Sequence, residues 1–454
     1  MLIDKLISVT EKNRVSTNQT ILEQHSKDES YHTPVLPDVV VYPTSKEEVQ
    51  EIVHIAQEQK IPVVPFGIGS SLEGHSIPVH GGISVDFSLM NNIIEIRPDD
   101  FLVRVQPGVT RTQLNNELKK YGLFFSVDPG ADATLGGMAA TNASGTTSVK
   151  YGVMRDQVRN LEVVLPNGSI IETGSLSAKT SSGYHLNGLF VGSEGTLGLF
   201  TELTLKVYGI PEHIMAARAT FSTINDAVQS VITLLSAGIQ LARIELVDQQ
   251  SIIQVNKYKD TTYLEQPTLF LELHGNESGL KQDIEVMKEL LINHGLNEIF
   301  FEEDTKSRNK LWEARHHLAY SFVHGHPGKK QMSTDVCLPY SKLANGIDLA
   351  REALDSAGLP GGIVGHVGDG NYHALVMIDV HNEEELQKAK IFNETIVSYA
   401  LENGGTCTGE HGVGIGKAKY QQQEHGAAYK LMKEMKQVID PNHLFNPGKI
   451  FIDL

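Results

Sequence analysis

Two stretches of the chain hold residues whose types and spacing suit chemistry. The first, "GHVGDGNYH" (365–373), places His366 and His373 seven residues apart about Asp369-Gly370. Asp-Gly between β-prone flanks predicts a two-residue type I′ turn. In that register His366 stands opposite His373, and both rings reach one face with Cβ atoms about 5 Å apart. The second, "GGTCTGEHGVGIGK" (404–417), sets Glu410 and His411 between glycines, a poor setting for a packed core and a good one for a site. Two imidazoles and a carboxylate form the ligand set of an open zinc or manganese centre, with His411 beside it as a base. The plainer reading, a polar hairpin face, stays open on these residues alone. "GVGIG" also invites a phosphate-loop reading, but no convincing strand precedes it. In "KSRNKLWEARHHLAYSF" (306–322) the pattern predicts one helix with Trp312, Arg315 and His316 at adjoining positions. Arg315 can fork onto a substrate carboxylate, or pair with Glu313 or Asp304 as a surface arginine.

Three further clusters are rich in glycine and small residues: "PFGIGSSLEG" (65–74), "DPGADATLGGMAATNASGTTSVKYG" (128–152) and "GSEGTLG" (192–198). Glycine lets backbone approach a ligand closely, and successive N–H groups make anion-binding concavities suited to a pyrophosphate. Any one cluster is readily an ordinary tight turn. Three in one domain imply a nucleotide cofactor. A dinucleotide fingerprint is excluded locally, because Gly67-x-Gly69 lacks the third glycine at the required spacing and "SSLEGHSIPVHGG" cannot form the helix that must follow. Glu194, between two glycines, reads either as a cofactor-site residue or as a solvated loop carboxylate.

The elements that must position these groups are short β-branched runs between residues 38 and 210, with helices after the N-cap candidates Ser45 and Thr110. Beyond about Pro211 longer helices alternate with strands such as "PTLFLELHG" and "ALVMIDV". At 454 residues and 40% hydrophobic content the chain can build two or three domains. A net charge of −17 with no basic run argues against nucleic acid. Two cysteines, Cys337 and Cys407, are too few for a disulfide framework and fit a reducing cytoplasm. The N-terminus reads as a short amphipathic helix rather than a signal peptide. No apolar run reaches the ~18 residues a bilayer span needs, which leaves peripheral membrane attachment open.

With these motifs assembled, the chain resembles the FAD-linked D-lactate dehydrogenases, flavoproteins of the vanillyl-alcohol oxidase superfamily, which also contains the GlcD component of glycolate oxidase and D-2-hydroxyglutarate dehydrogenase. The resemblance runs from about Pro34 to Lys449 and rests on "PFGIGSSLEG", "VDPGADATLGGMAAT", "GLFVGSEGTLG", "STDVCLP", "IVGHVGDGNYH", "GTCTGEHGVGIGK" and "NPGK". It implies an α+β chain: an N-terminal helical segment (1–33), a FAD-binding domain of two α/β subdomains (34–211), a cap domain with antiparallel sheet and metal site (212–419), and a C-terminal segment (420–454) returning to the FAD domain. FAD is expected at Pro65, Gly67, Ile68, Gly69, Ser70, Ser71, Pro129, Gly130, Thr134, Gly136, Gly137, Ser144, Gly145, Tyr151, Gly152, Glu194, Gly195, Gly198 and Asn446. His366, His373 and Glu410 are implied as metal ligands, His411 as catalytic base, and Arg315 near the substrate carboxylate.

Two departures refine this. Relatives that attach FAD covalently use a histidine in the first glycine loop, where this chain has Ser70-Ser71, so dissociable FAD is expected; His75 lies too far along. Relatives acting on dicarboxylic hydroxy acids carry a lysine where Ser333 stands here. That favours a small D-2-hydroxy monocarboxylate, although Lys329 and Lys330 keep a second carboxylate contact open. The expected activity is FAD-dependent oxidation of D-lactate or a similar acid to the 2-oxo acid, with hydride going to flavin N5. With no haem-attachment motif or iron–sulfur cysteine set in the chain, electrons must leave to a separate quinone, cytochrome, flavoprotein or iron–sulfur protein. Rival readings are a GlcD-type component of glycolate oxidase that needs partner chains, a metal-dependent hydrolase with structural glycines, and a non-catalytic nucleotide-binding module. A homodimer stays open.

Overall fold

The computed structural model describes residues 1–452. It separates into two compact units, one comprising residues 1–144, 152–210 and the chain from 410 onward, the other 145–151 and 211–409.

In the first unit a four-stranded sheet runs in the order Val15–Ser16, Val39–Val41, Ile83–Asp86, Val63–Phe66, the last three parallel. Val39–Val41 and Ile83–Asp86 are buried along their whole length because both faces of a parallel strand are covered. Helix Lys46–Gln59 places Val49, Ile52, Val53 and Ala56 on one buried stripe, and Leu2–Val9 adds Leu6 to the same core. Each buried Val, Leu or Ile side chain among them contributes roughly 1.5–3 kcal/mol. A second, five-stranded antiparallel sheet runs Ile93–Arg97, Leu102–Val105, Leu199–Lys206, Val158–Val164, Ile170–Glu172 over its own core. Both predicted caps are present: Ser45 accepts from the Glu48 amide and Thr110 from the Gln113 amide.

The second unit is built on one antiparallel sheet in the order Leu296–Glu302, His213–Phe221, Thr268–Gly275, Leu241–Val247, Gly361–Gly365, Asn371–Ile378, Lys330–Ser333, with Val336–Cys337 paired to Asn371–Ile378 off this path. Period-2 alternation sorts each strand: in "RIELV" the side chains of Arg243, Glu245 and Val247 share a face opposite Ile244 and Leu246. The apolar end of the first face is covered by Gln249–Lys259, Thr305–His316 and Leu318–Gly325, which pack Ile252, Trp312 and Phe322 against Val247, Val364, Leu375 and Met377.

Several expectations change. Residues 1–33 belong to the first unit, because Val15–Ser16 joins its sheet. Residues 145–151 belong to the second, and the chain re-enters the first at Glu410 rather than near 420. The single helix expected over 306–322 breaks at His317. The two-residue turn is replaced by a longer loop. The register pairs Val364 with His373, Asn371 and Asp369 both donate to the His366 carbonyl, and Gly370 donates to Val367. Type I′ needs positive φ at both central residues, and only Gly370 has it. Gly370 is held in that loop by close approach, since a Cβ there would lie 2.2 Å from the Leu338 carbonyl oxygen.

Candidate active site

The corrected register still unites the two histidines. His373 lies opposite Val364, so His366 is its diagonal neighbour on the same face, and the ring centroids are 5.4 Å apart. Strand Leu241–Val247 pairs Leu246 with Gly365, which brings Glu245 level with His366. The fully buried Glu245 accepts from His366 Nδ1 at 2.6 Å and from Arg315 Nε at 3.0 Å, and Arg315 Nη2 pairs with it at 2.8 Å. Burial pushes this carboxyl up, but the charges and hydrogen bonds of His366 and Arg315 outweigh it and hold it below its ordinary value.

His373 Nδ1 lies 3.0 Å from the Thr334 carbonyl oxygen. A carboxylate and a carbonyl only accept, so both histidines carry their proton on Nδ1 and direct a lone pair from Nε2 when neutral. That is the tautomer a metal ligand requires, oriented by outer partners. Their ligand nitrogens lie within 4.8 Å of each other. Asp335, fully buried beside Thr334, ties Asn371 Nδ2 at 2.7 Å and Thr408 Oγ1 at 2.6 Å.

Arg315 therefore pairs with Glu245, not with Glu313 or Asp304 as its surface alternative predicted. Glu245, Thr334 and Asp335 were not singled out from the sequence. An acidic residue sharing a strand face with Val247 was the available signal for Glu245. Lys329 is engaged by Glu385 at 2.7 and 2.5 Å, which removes it as a ready second carboxylate contact.

In the first unit, Glu410 accepts from Ser144 Oγ at 2.5 Å, and His411 Nε2 lies 3.8 Å from Glu410 Oε1. Ser144, expected on the cofactor, thus serves the neighbouring carboxylate. The "GVGIG" amides are not a phosphate loop: Val413 and Gly414 donate to the two oxygens of Glu194 at 2.6 and 2.8 Å, and Ile415 and Gly416 to the Glu73 carbonyl. Glu194 is not solvated, and both of its carboxylate oxygens are engaged by these loop amides. It is 4% exposed and lies 3.3 Å from His75 Nε2. Asn446 is likewise a brace, its Nδ2 donating to the His75 and Glu194 carbonyls. Tyr151, in the second unit with Gly145, bonds His274 Nδ1 at 2.8 Å.

The glycine clusters of the first unit converge. A Cβ on Gly67 would lie 2.5 Å from Thr134 Oγ1, and one on Gly195 would strike Pro65. The amides of Ile68, Gly69, Ser70 and Ser71 donate to no backbone carbonyl among the described residues. Gly130 has open space at its Cβ position and Ile68 is 46% exposed. A run of available amides beside small, open residues fits a pyrophosphate and a flat ring system. Other expected cofactor glycines have structural duties: Gly136 packs on Pro107, Gly198 on Val163, and Gly152 adopts φ +83° against Asp156. Pro129 is partly exposed beside Gly130, and Gly137 is exposed with only Thr134 nearby. No helix among the described residues is long and apolar enough to cross a membrane.

Comparison with known proteins places a family boundary where the second unit begins, near residue 210. The family described as "FAD binding domain" matches residues 37–174, and "FAD linked oxidases, C-terminal domain" matches 210–450. The chain is 43% identical over 99% of its length to a probable mitochondrial D-lactate dehydrogenase of Danio rerio, covering 91% of that protein. It is 40% identical over 99% of its length to the mitochondrial D-lactate dehydrogenase [cytochrome] of Arabidopsis thaliana, covering 80% of it. Glycolate oxidase subunit GlcD of Bacillus subtilis is 33% identical, with 94% of this chain and 92% of that one covered. Two of these names carry a mitochondrial location, which gives the expected cytoplasmic one no support. Among solved structures, p-cresol methylhydroxylase with substrate bound shares the fold at TM-score 0.82 and 21% identity, over 100% of this chain and 96% of that one. With both domain families matched in order and relatives aligned over nearly its whole length, the chain belongs to the family of FAD-linked oxidases in which these D-lactate dehydrogenases fall.

Proposed function

We propose that the chain oxidises D-lactate, or a similarly small D-2-hydroxy acid, to the 2-oxo acid, using non-covalent FAD and a divalent zinc or manganese ion. Bound FAD would supply a hydride acceptor at N5, and a bound cation a Lewis acid that makes the substrate hydroxyl more acidic. The observation that carries the metal reading is the histidine pair, whose Nδ1 atoms both face acceptors, the tautomer in which Nε2 bears the lone pair a metal ligand needs. Glu410 is proposed as third ligand. It follows directly on Gly409, where a Cβ would lie 2.2 Å from Asn371 Nδ2, and one peptide unit moves the chain only about 3.8 Å.

His411 takes the hydroxyl proton as general base. Arg315 spends its Nε/Nη2 edge on Glu245, and the remaining Nη1 edge is proposed to meet the substrate carboxylate. Ser333 bears no charge with which to hold a second carboxylate, which supports a monocarboxylic substrate. The chain's two cysteines cannot hold an iron–sulfur cluster, so electrons leave to a separate acceptor; the cytochrome in one relative's name supports a cytochrome.

The test is purification followed by anaerobic mixing. The protein should be yellow, release all flavin on acid precipitation, and be bleached by D-lactate faster than by L-lactate or glycolate. The 33% identity to a glycolate oxidase component supports a second reading. Preferential bleaching by glycolate with a co-purifying iron–sulfur protein would establish it. A colourless protein would sink both.

A further inference from the structure

The geometry points to Glu194 as a positioning residue for His411: its carboxylate clamps the loop that carries the base, so that proton abstraction depends on a residue acting through the backbone of that loop. This rests on the proposed role of His411 as base.

Glu194 sits at φ +55°, a left-handed conformation that is strained for a non-glycine residue and persists only where its surroundings enforce it. Its backbone is held from both sides, the amide donating to the Ala140 carbonyl at 2.8 Å and the carbonyl accepting from Asn446 Nδ2 at 2.8 Å. The side chain is thereby aimed at the amides two and three positions beyond His411, each carboxylate oxygen taking one, Val413 at 2.6 Å and Gly414 at 2.8 Å.

Gly412 completes the clamp. It has φ +84°, and a Cβ there would lie 2.5 Å from His75 Nε2 and 2.9 Å from Glu194 Oε1. The backbone adjoining His411 therefore lies directly against the pair. His75 lies 3.3 Å from the same carboxylate, so the buried charge has a partner. On the other side of His411, the Glu410 side chain is held by Ser144 Oγ at 2.5 Å. A carboxylate can do this where an amide cannot, because Val413 and Gly414 both donate and need two acceptor oxygens.

The test is a double-mutant cycle in holoenzyme. Glu194→Gln turns an N–H toward one loop amide. It should slow single-turnover flavin reduction by D-lactate about tenfold or more, with KM changed less than about twofold. Added to His411→Ala, the same change should slow reduction less than about twofold, because the misplaced base is already gone. Independently of activity, hydrogen exchange should accelerate in the peptide spanning 409–416.

Glu194→Asp keeps the charge beside His75 but shortens the reach, and should give an intermediate slowing with full flavin content. A wild-type reduction rate in His411→Ala removes the base reading and this proposal with it. A slow His411→Ala enzyme slowed a further tenfold by Glu194→Gln overturns this proposal alone, as would loss of flavin from both Glu194 variants, which would assign the residue to cofactor retention.

Discussion

Glu245→Gln should be the most informative single substitution in the second unit. The carboxylate is fully buried, takes one hydrogen bond from His366 and one from Arg315 Nε, and lies in an ion pair with Arg315 Nη2 at 2.8 Å. Glutamine conserves the shape but offers one acceptor oxygen and presents N–H to the other donor. Removing one partner of a buried ion pair costs about 3–5 kcal/mol. The Arg315 side chain retains 14% exposure, so water recovers part of that and about 2–3 kcal/mol is expected. For a unit of this size each kcal/mol lowers the midpoint by roughly 2–4 °C, giving a fall of about 4–12 °C.

His366 also loses the partner that sets its tautomer, and loss of such a partner typically weakens metal affinity about 10–100-fold. The assay pairs a thermal melt with a chelator competition read by metal analysis. A variant that melts within about 1 °C of wild type and holds metal equally well would refute the view that Glu245 organises this face.

His366→Ala and His373→Ala should each lose metal and turnover together while keeping flavin absorbance, whereas His411→Ala should keep both metal and flavin yet reduce flavin about 100-fold more slowly; full metal in either of the first two variants would make the pair structural. Arg315→Lys should raise KM for D-lactate and lower kcat, since an ammonium cannot hold Glu245 and a substrate carboxylate in one plane; an unchanged kcat/KM removes Arg315 from the site. Lys449, buried and donating to the Ile77 carbonyl, is pushed down to about 8 by burial. Between that value and its ordinary 10.5 the unfolded chain binds the extra proton. Its contribution to stability therefore rises with pH through this window, by at most about 1.4 kcal/mol per pH unit, and is lost as pH falls through 8. Denaturant melts of wild type and Lys449→Met should diverge in wild type's favour from pH 8 to 10, and parallel curves would refute the assignment.

Much of the architecture was readable because it depends on local rules. Ser45 and Thr110 cap their helices because a hydroxyl at that position satisfies an amide that no turn can. The parallel strand Val39–Val41 shows as an unbroken β-branched run, and alternation marks antiparallel strands such as Leu241–Val247. The histidine pair was legible for a related reason. Residues on one strand face keep their side under any register shift of two, so His366 and His373 share a face although the turn between them is longer than Asp-Gly predicted.

Partnerships were not legible where they join residues distant in sequence. Glu245 lies 121 positions from His366 and 70 from Arg315, and nothing local marks which carboxylate a buried cation will find. Glu194 offers the same lesson: composition placed it in a glycine loop, while its pairing with His75 and the amides of Val413 and Gly414 depends on three chain segments meeting. The amino-acid order by itself determined the elements, the family motifs and the inventory of chemically able side chains, because propensity, capping and periodicity act within a few residues. Only the tertiary structure decided which glycines face open space and which fill a packing contact, and whether a carboxylate serves a ligand or a neighbouring loop, because a buried charge takes its partner from whichever segment the fold brings within hydrogen-bond reach.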